Sequence, residues 1–89
     1  MPSKISLTQN YPNPFNPVTT VEFDLDRAQN VTLSVLDVTG RQVAVLVDDQ
    51  KSAGTFRVQF DANYLPSGLY LYRLNTQTES LTRKMTLLK

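Results

Sequence analysis

The feature that most constrains this fold is a hydrophobic period of two residues that returns along almost the whole chain. Six runs alternate in this way, and each is bounded by turn-forming residues. The apolar positions of the runs are Val21, Phe23 and Leu25; Val31, Leu33 and Val35; Val43, Val45 and Val47; Phe56, Val58 and Phe60; Tyr70, Tyr72 and Leu74; and Leu81, Met85 and Leu87. Alternation of this kind is typical of strands with one face in a core.

The spacing of these runs predicts an all-β fold, an immunoglobulin-like antiparallel β-sandwich of about seven strands. A short strand around residues 5–8 supplies the seventh. The predicted core contains Val21, Phe23, Val31, Leu33, Val35, Val45, Val58, Phe60, Tyr72 and Met85. No pattern of helical length is present.

The three glycines stand where turns are expected. Asp37–Gly40 and Leu65–Gly68 each fit a type I turn, with Asp first in one and Pro second in the other. Gly54 ends a polar loop that we expect to follow Val47 and to contain Asp48 and Asp49. In the first turn Asp37 is positioned to cap the backbone and Gly40 to adopt positive φ, and Arg41 could then pair with a nearby carboxylate.

Composition argues against several classes of protein. The 89 residues contain no Cys and no His, which removes the common nucleophile–base pairs and the commonest metal ligands. We therefore expect no enzyme activity, no cofactor and no metal site. A net charge of +1 is too balanced for a nucleic-acid partner. No segment has the about 20 apolar residues of a membrane helix.

Acidic side chains leave one alternative open. Glu22, Asp24 and Asp26 share one face of a predicted strand, and Asp48 and Asp49 lie in a predicted loop. Oxygen clusters of this kind can bind calcium. A solvent-facing polar surface is the ordinary explanation, because their spacing does not match an EF-hand loop.

Three closely spaced prolines, Pro12, Pro14 and Pro17, predict a stiff loop outside any central ladder. Tyr11 and Phe15 could fold back over the end of the sandwich as apolar plugs. The loop is then either a structural lid or a surface that a partner reads.

Charge is concentrated at the end of the chain. Residues 62–89 carry four basic side chains and one acidic side chain. Arg83, Lys84 and Lys89 lie in the last predicted strand, where they either protect an exposed sheet edge or form part of a signal.

The order of these motifs resembles the type A C-terminal sorting domain of the type IX (Por) secretion system and, more distantly, the Ig-like domains of flagellar hook-capping proteins. The resemblance runs from about Leu7 to Lys89. The matching pieces are Leu7–Pro17, Leu36–Val43, Ala53–Gly54, Leu65–Leu74, and Thr82–Met85 with Lys89. The chain departs from the family at Phe56 and Phe60, where His or Trp is frequent, and at Ala62, where Gly is frequent.

The first residues lack the apolar run of a signal peptide, so either the protein is cytosolic or the chain is a fragment whose signal peptide lies upstream. The resemblance favours the fragment, and residues 1–89 are then a single sorting domain of a larger secreted protein. Such domains direct a cargo from the periplasm through an outer-membrane translocon to the medium or the cell surface, and a surface sortase removes them in many members. The implied partner-binding residues are Pro12, Asn13, Pro14, Gly40, Arg41, Gly68, Tyr70, Lys84, Met85 and Lys89. The alternative is an Ig-like spacer or a carbohydrate- or protein-binding module of a secreted enzyme, which an exposed row of aromatic side chains would favour.

Overall fold

The structure of the chain is a computed structural model that describes residues 5–89. Seven strands and no helix are present in this range, which confirms the all-β prediction. The strands are β1 (Ser6–Leu7), β2 (Val18–Leu25), β3 (Gln29–Leu36), β4 (Gln42–Lys51), β5 (Gly54–Asp61), β6 (Gly68–Asn75) and β7 (Ser80–Leu87).

The strands form two antiparallel sheets. One has three strands in the order β1-β2-β5, and the other has four in the order β4-β3-β6-β7. The β3–β4 and β6–β7 connections stay within the larger sheet, whereas the β2–β3, β4–β5 and β5–β6 connections pass from one sheet to the other. This arrangement of three strands against four is that of an immunoglobulin-like sandwich.

The alternating apolar side chains fill the space between the sheets, as the period of two predicts. Eight of the ten predicted core residues are buried. They are Val21, Phe23, Val31, Leu33, Val35, Phe60, Tyr72 and Met85. Val58 is only half-buried and packs against this cluster. The Phe23 and Phe56 rings stack with their centroids 5.4 Å apart, which joins β2 to the half-buried side of β5.

Val45, the tenth predicted core residue, is 47% exposed, so that prediction is wrong. Leu33 pairs with Val47, but the next residue, Ser34, pairs with Val45, and a second shift follows between Val35 and Leu36. An extra residue in one strand moves the following side chains to the opposite face. Val45 therefore lies beside Ser34 on the outer face of the sheet.

Two loop predictions also need correction. Asp48 and Asp49 lie within β4, which continues to Lys51, so the connection to β5 consists only of Ser52 and Ala53. The strand can continue because polar side chains fit its solvent-facing edge position.

The turn predicted at residues 65–68 lies three residues earlier. The Leu65 amide donates to the Ala62 carbonyl at 3.0 Å, whereas Gly68 already belongs to β6 and pairs with Leu87. The predicted turn at residues 37–40 is confirmed by the hydrogen bond from the Gly40 amide to the Asp37 carbonyl, also 3.0 Å.

Candidate functional site

The proline-rich segment lies along the outer edge of the last strand, β7. The Phe15 amide donates to the Thr86 carbonyl at 3.0 Å, and the Leu88 amide donates to the Phe15 carbonyl at 2.9 Å. Phe15 thus forms a one-residue parallel bridge opposite Leu87. Its side chain is 2% exposed and meets the Phe60 ring at 6.4 Å, which confirms its expected role as an apolar plug.

Two side chains that precede Phe15 extend this contact toward the start of β7. The Asn13 side-chain oxygen accepts a hydrogen bond from the Thr86 amide at 3.0 Å. The Gln9 side-chain amide donates to the Lys84 carbonyl at 2.7 Å. Residues 9–15, named the strap from here on, therefore bond to the Lys84 and Thr86 carbonyls and to the Thr86 and Leu88 amides on the outward edge of β7. Pro12 and Pro14 are exposed on the solvent side of the strap.

Asn10 and Tyr72 anchor the strap from beneath. The Asn10 side chain donates to the Pro12 carbonyl at 3.2 Å and to the Thr19 hydroxyl at 2.9 Å. The backbone amide of Asn10 donates to the Tyr72 hydroxyl at 2.8 Å, and that hydroxyl donates to the Thr8 carbonyl at 2.6 Å. Burial raises the pKa of Tyr72, and the hydrogen bond from Asn10 partly opposes this rise.

Sequence reasoning missed Asn10 and Thr19, both of which are buried. One local signal was available for Asn10, since Asn side chains often bond the backbone two residues ahead, and a proline-rich turn follows it.

The other predicted plug, Tyr11, is 80% exposed, so the prediction for it is wrong. Tyr11 and Thr20 exchange two backbone hydrogen bonds, of 3.0 and 2.9 Å. This pairing holds the Tyr11 backbone beside β2 as a strand neighbour. Its side chain consequently points away from the core.

The turn between β3 and β4 is ordered by one carboxylate. The Asp37 Oδ1 atom accepts hydrogen bonds from the Thr39 amide at 2.9 Å, the Thr39 hydroxyl at 2.6 Å and the Arg41 amide at 3.0 Å. The Thr39 hydroxyl bond, followed by that from Arg41, holds the pKa of Asp37 below its usual value. Gly40 has φ of +88°, a conformation that glycine adopts at little cost. Asp37 therefore caps the turn as predicted. It bonds to the backbone amide of Arg41 and to Thr39.

The connection between β5 and β6 forms a tyrosine corner, a motif of immunoglobulin-like sandwiches. The Tyr70 hydroxyl donates to the Pro66 carbonyl, four residues back, at 2.7 Å. Burial raises the pKa of Tyr70, with smaller contributions from the Asp37 carboxylate and Tyr64. The last residue joins this corner, because the Lys89 amide donates to the Ser67 hydroxyl at 3.0 Å and its ammonium group donates to the Asn63 carbonyl.

The strand register brings most of the predicted site residues to one end of the sandwich. Leu36 pairs with Leu71, and Gly68 pairs with Leu87, so the 37–41 turn, the tyrosine corner and the C-terminus share that end. The strap then runs from this end along β7 past Lys84. Gly40 and Arg41 stand apart from β7, because β3 and β6 lie between them.

Exposure divides the predicted residues into two groups. The side chains of Tyr70 and Met85 are 5% and 1% exposed, so they support the surface from within. The other eight are exposed: Pro12, Asn13, Pro14, Gly40, Arg41, Gly68, Lys84 and Lys89. Four exposed apolar side chains lie at the same end: Val38, Tyr64, Leu69 and Leu88.

Two of the acidic side chains considered for calcium, Glu22 and Asp24, have other partners. Glu22 forms an ion pair of 2.8 Å with Arg57 across β2 and β5. Asp24 accepts hydrogen bonds from Ser6 at 2.6 Å and from Thr55, and these bonds hold the pKa of Asp24 below its usual value. Asp26 lies beyond the end of β2. Within residues 5–89, no three acidic, His or Cys side chains form a group that could hold a metal ion.

These features define a class of protein, a β-sandwich module whose ordered elements present a surface at one end. The family model of the secretion system C-terminal sorting domain matches residues 9–87, and the chain belongs to this family. Domains of this family are the C-terminal sorting signals of the type IX secretion system, and the proteins that carry them are secreted or attached to the cell surface. The family is not catalytic. Among the described residues, no helix is long and apolar enough to cross a membrane.

A solved structure supports the fold independently. PorZ, described as an essential bacterial surface component of the type IX secretion system of Porphyromonas gingivalis, contains a region similar to this chain with a TM-score of 0.58 and 19% sequence identity. The alignment covers 97% of this chain and 12% of the PorZ chain. No curated protein matches the sequence.

Proposed function

We propose that the chain is the C-terminal domain of a longer secreted cargo protein and that the outer-membrane translocon of the type IX system reads it at the strap and β7. A surface sortase then removes the domain from the cargo. The observation that carries this proposal is the contact of the strap with β7. Two motifs that are far apart in sequence, Pro12–Pro14 and Lys84–Lys89, form one continuous surface through it.

The chemistry of this surface is suited to recognition. The Lys84 side chain is exposed on the outer face of the sheet and has no described hydrogen bond or ion pair within residues 5–89. Its neighbour across the sheet is Leu71, and the exposed Leu69 lies two residues further along β6, opposite Thr86. A free cation beside an exposed apolar side chain fits a partner that has an acidic rim around an apolar centre.

Arg41 and Gly40 contribute a second, separate contact from the 37–41 turn. The hydrogen bonds from the Thr39 and Arg41 amides to the Asp37 carboxylate fix the direction in which this turn points. Tyr70 and Met85 act from beneath, by holding the tyrosine corner and the end of β7 in place. None of these roles involves bond making or breaking, and we propose that the domain has no enzyme activity.

The spacer or binding-module alternative needs an exposed row of aromatic rings. The exposed tyrosines are Tyr11 on the strap and Tyr64 at the corner, which belong to different segments, while Tyr70 and Tyr72 are buried. The geometry thus favours sorting over carbohydrate binding.

Export of a reporter tests the proposal. The chain is fused behind a periplasm-directed reporter in a host that has the type IX system, and Lys84→Ala with Lys89→Ala is compared with the parent. Deleting residues 84–89 is less informative, because it removes Met85 and Leu87, both fully buried. Substituting exposed lysines normally changes stability by only about 0.5 kcal/mol each, and loss of the Lys89 hydrogen bond to the Asn63 carbonyl costs about 1 kcal/mol more, so the fold survives.

A matched control removes the same charge elsewhere. Arg27 and Lys51 lie at the opposite end of the sandwich, because Lys51 ends β4 and pairs with Gln29 at the start of β3. The Lys51 ammonium group lies 5.6 Å from the centre of the Phe56 ring, so the stability of this control is measured as well. We expect the Lys84/Lys89 variant to accumulate in the periplasm and the Arg27→Ala, Lys51→Ala variant to be exported normally. Equal export of both variants would contradict the proposed surface.

A further inference from the structure

Strand β5 presents a sheet edge that lacks the protections found on the long edges of the other sheet. It pairs with β2 along all eight of its residues without a register shift. No other strand within residues 5–89 pairs with its opposite edge. By contrast, the strap covers β7, and β4 is interrupted by two register shifts. Bulges and covering loops of this kind are how edge strands avoid pairing with other chains.

The hydrogen bonds that β2 makes on its other side show which backbone groups of β5 point away from β2. Thr20 exchanges both of its backbone hydrogen bonds with Tyr11, and the Glu22 carbonyl accepts from the Thr8 amide. In an antiparallel ladder, alternate residues bond to opposite sides. Val21 and Phe23 therefore bond to β5, through their partners Val58 and Phe56. The backbone groups of Thr55, Arg57 and Gln59 consequently point away from β2.

We propose that this edge pairs with β5 of a second copy of the chain, antiparallel and around a two-fold axis that places Val58 opposite Val58. In this register Arg57 faces Gln59, and Thr55 faces Asp61. Both members of the first pair have outward backbone groups, so they can exchange hydrogen bonds across the interface. On the inner face, Phe56 lies beside Phe60 of the other copy, and no like charges stand directly opposite each other.

Neighbouring registers fit less well. A shift of one residue places residues whose backbone groups point outward opposite residues whose backbone groups bond to β2, so the ladder cannot form. Centring the axis on Arg57 places two guanidinium groups directly opposite, which is unfavourable. Centring it on Gln59 pairs Thr55 with Asn63, which lies outside β5, and separates the two Phe positions. The sequence of β5 thus complements itself best around Val58.

The position of this edge leaves the sorting surface accessible. In the three-stranded sheet, β1 and β5 flank β2 on opposite sides. Strand β1 lies against β7, because the Arg83 side chain donates to the Leu7 carbonyl. The free edge of β5 therefore lies on the far side of the sheet from β7. Two copies can pair while both straps face solvent.

Sedimentation equilibrium of the chain tests the proposal through one position. Gln59→Glu places a carboxylate opposite Arg57 of the other copy, and symmetry repeats this pair. We expect dimer dissociation constants about 2- to 30-fold lower than those of the parent, from two favourable cross-strand pairs. Gln59→Lys places two ammonium groups opposite two guanidinium groups, and we expect a rise of similar size. Gln77→Glu and Gln77→Lys, at an exposed position of the β6–β7 turn, are the matched controls.

Opposite shifts for the two Gln59 variants, with no shift for the Gln77 variants, support pairing through β5 in this register. Weakening by both Gln59 variants contradicts the register, since it is expected when Gln59 faces itself. A chain that remains monomeric up to about 1 mM overturns the proposal. So does an equal response at Gln77, which indicates a general effect of net charge.

Discussion

The Asn13 side-chain oxygen accepts a hydrogen bond from the Thr86 amide at 3.0 Å, across a sequence separation of 73 residues. This bond does for the edge of β7 what a neighbouring strand would do, since it satisfies an outward backbone donor. It also makes the proline-rich motif and the C-terminal motif parts of one surface. The strap therefore stabilises the edge of β7 and also presents Pro12 and Pro14 to solvent.

Removing this hydrogen bond should loosen the strap without unfolding the domain. We expect Asn13→Ala to lower the free energy of unfolding by about 1 kcal/mol, the usual net value of one such bond. Asn16→Ala is the control, because Asn16 is exposed and has no described hydrogen bond. Urea unfolding followed by circular dichroism measures both. Equal stability of the two variants would mean that the Asn13–Thr86 bond contributes nothing.

Tyr72 should make the domain sensitive to alkali. Burial raises the pKa of Tyr72 above the ordinary value of 10.0, so its stabilising contribution is complete below that pH and is lost as the pH rises through the folded-state pKa. Tyr72→Phe should cost about 1–3 kcal/mol near neutral pH, because it leaves the buried Asn10 amide and the Thr8 carbonyl without their partner.

Unfolding free energies measured between pH 8 and about pH 11 test this linkage. We expect a smaller loss of stability with rising pH in Tyr72→Phe than in the parent. Tyr64→Phe, at a position that is 64% exposed, should behave like the parent. An unchanged pH profile in Tyr72→Phe would contradict the buried-hydroxyl interpretation.

Asp24 should contribute stability that is lost in acid. Hydrogen bonds from Ser6 and Thr55 hold the pKa of Asp24 below its usual 3.8, so this contribution is present above that pH and disappears as the pH falls through the folded-state pKa. Asp24→Asn should be less stable than the parent at pH 7, and the difference should shrink toward pH 2. Asp26→Asn is the control beyond the end of β2. A difference that is constant with pH would argue against the assignment to ionised Asp24.

The shifts in register within β4 predict unequal responses to the same substitution at two valines. Val47 is buried, whereas Val45 is 47% exposed. We expect Val45→Thr to change stability by less than about 0.5 kcal/mol and Val47→Thr to cost about 1–3 kcal/mol, because only the second buries a hydroxyl. Thermal unfolding of both variants measures the difference. Similar losses at both positions would place Val45 in the core after all.

The same two valines illustrate what sequence patterns can and cannot establish. Period-two alternation correctly predicted the strands and most of the core, because each inward side chain is fixed by local geometry. It failed at Val45, because the extra residues of a bulge are decided by pairing with β3 and leave no mark on the alternation itself.

The site shows the same limit at longer range. Proline chemistry correctly indicated a stiff segment and Phe15 as a plug, but it did not reveal that residues 9–15 lie on β7. The anchors Asn10 and Thr19 were missed because their buried hydrogen bonds exist only once the sandwich has formed. Tyr11 was predicted to be buried on hydrophobicity alone, and its pairing with Thr20 directs the ring to solvent instead.

The central claim is that export depends on the chemistry of the strap and β7 surface, over and above the stability of the fold. The measurement that tests it most directly compares export efficiency with the free energy of unfolding for one set of variants, each fused to the same periplasmic reporter. The set contains Asn13→Ala, Tyr72→Phe, Val47→Thr, the Lys84→Ala, Lys89→Ala variant and the Arg27→Ala, Lys51→Ala variant. We predict that the Lys84/Lys89 variant is exported far less than other variants of equal stability. If all variants instead follow a single relation between stability and export, the machinery reads only a folded domain, and the proposed surface is wrong.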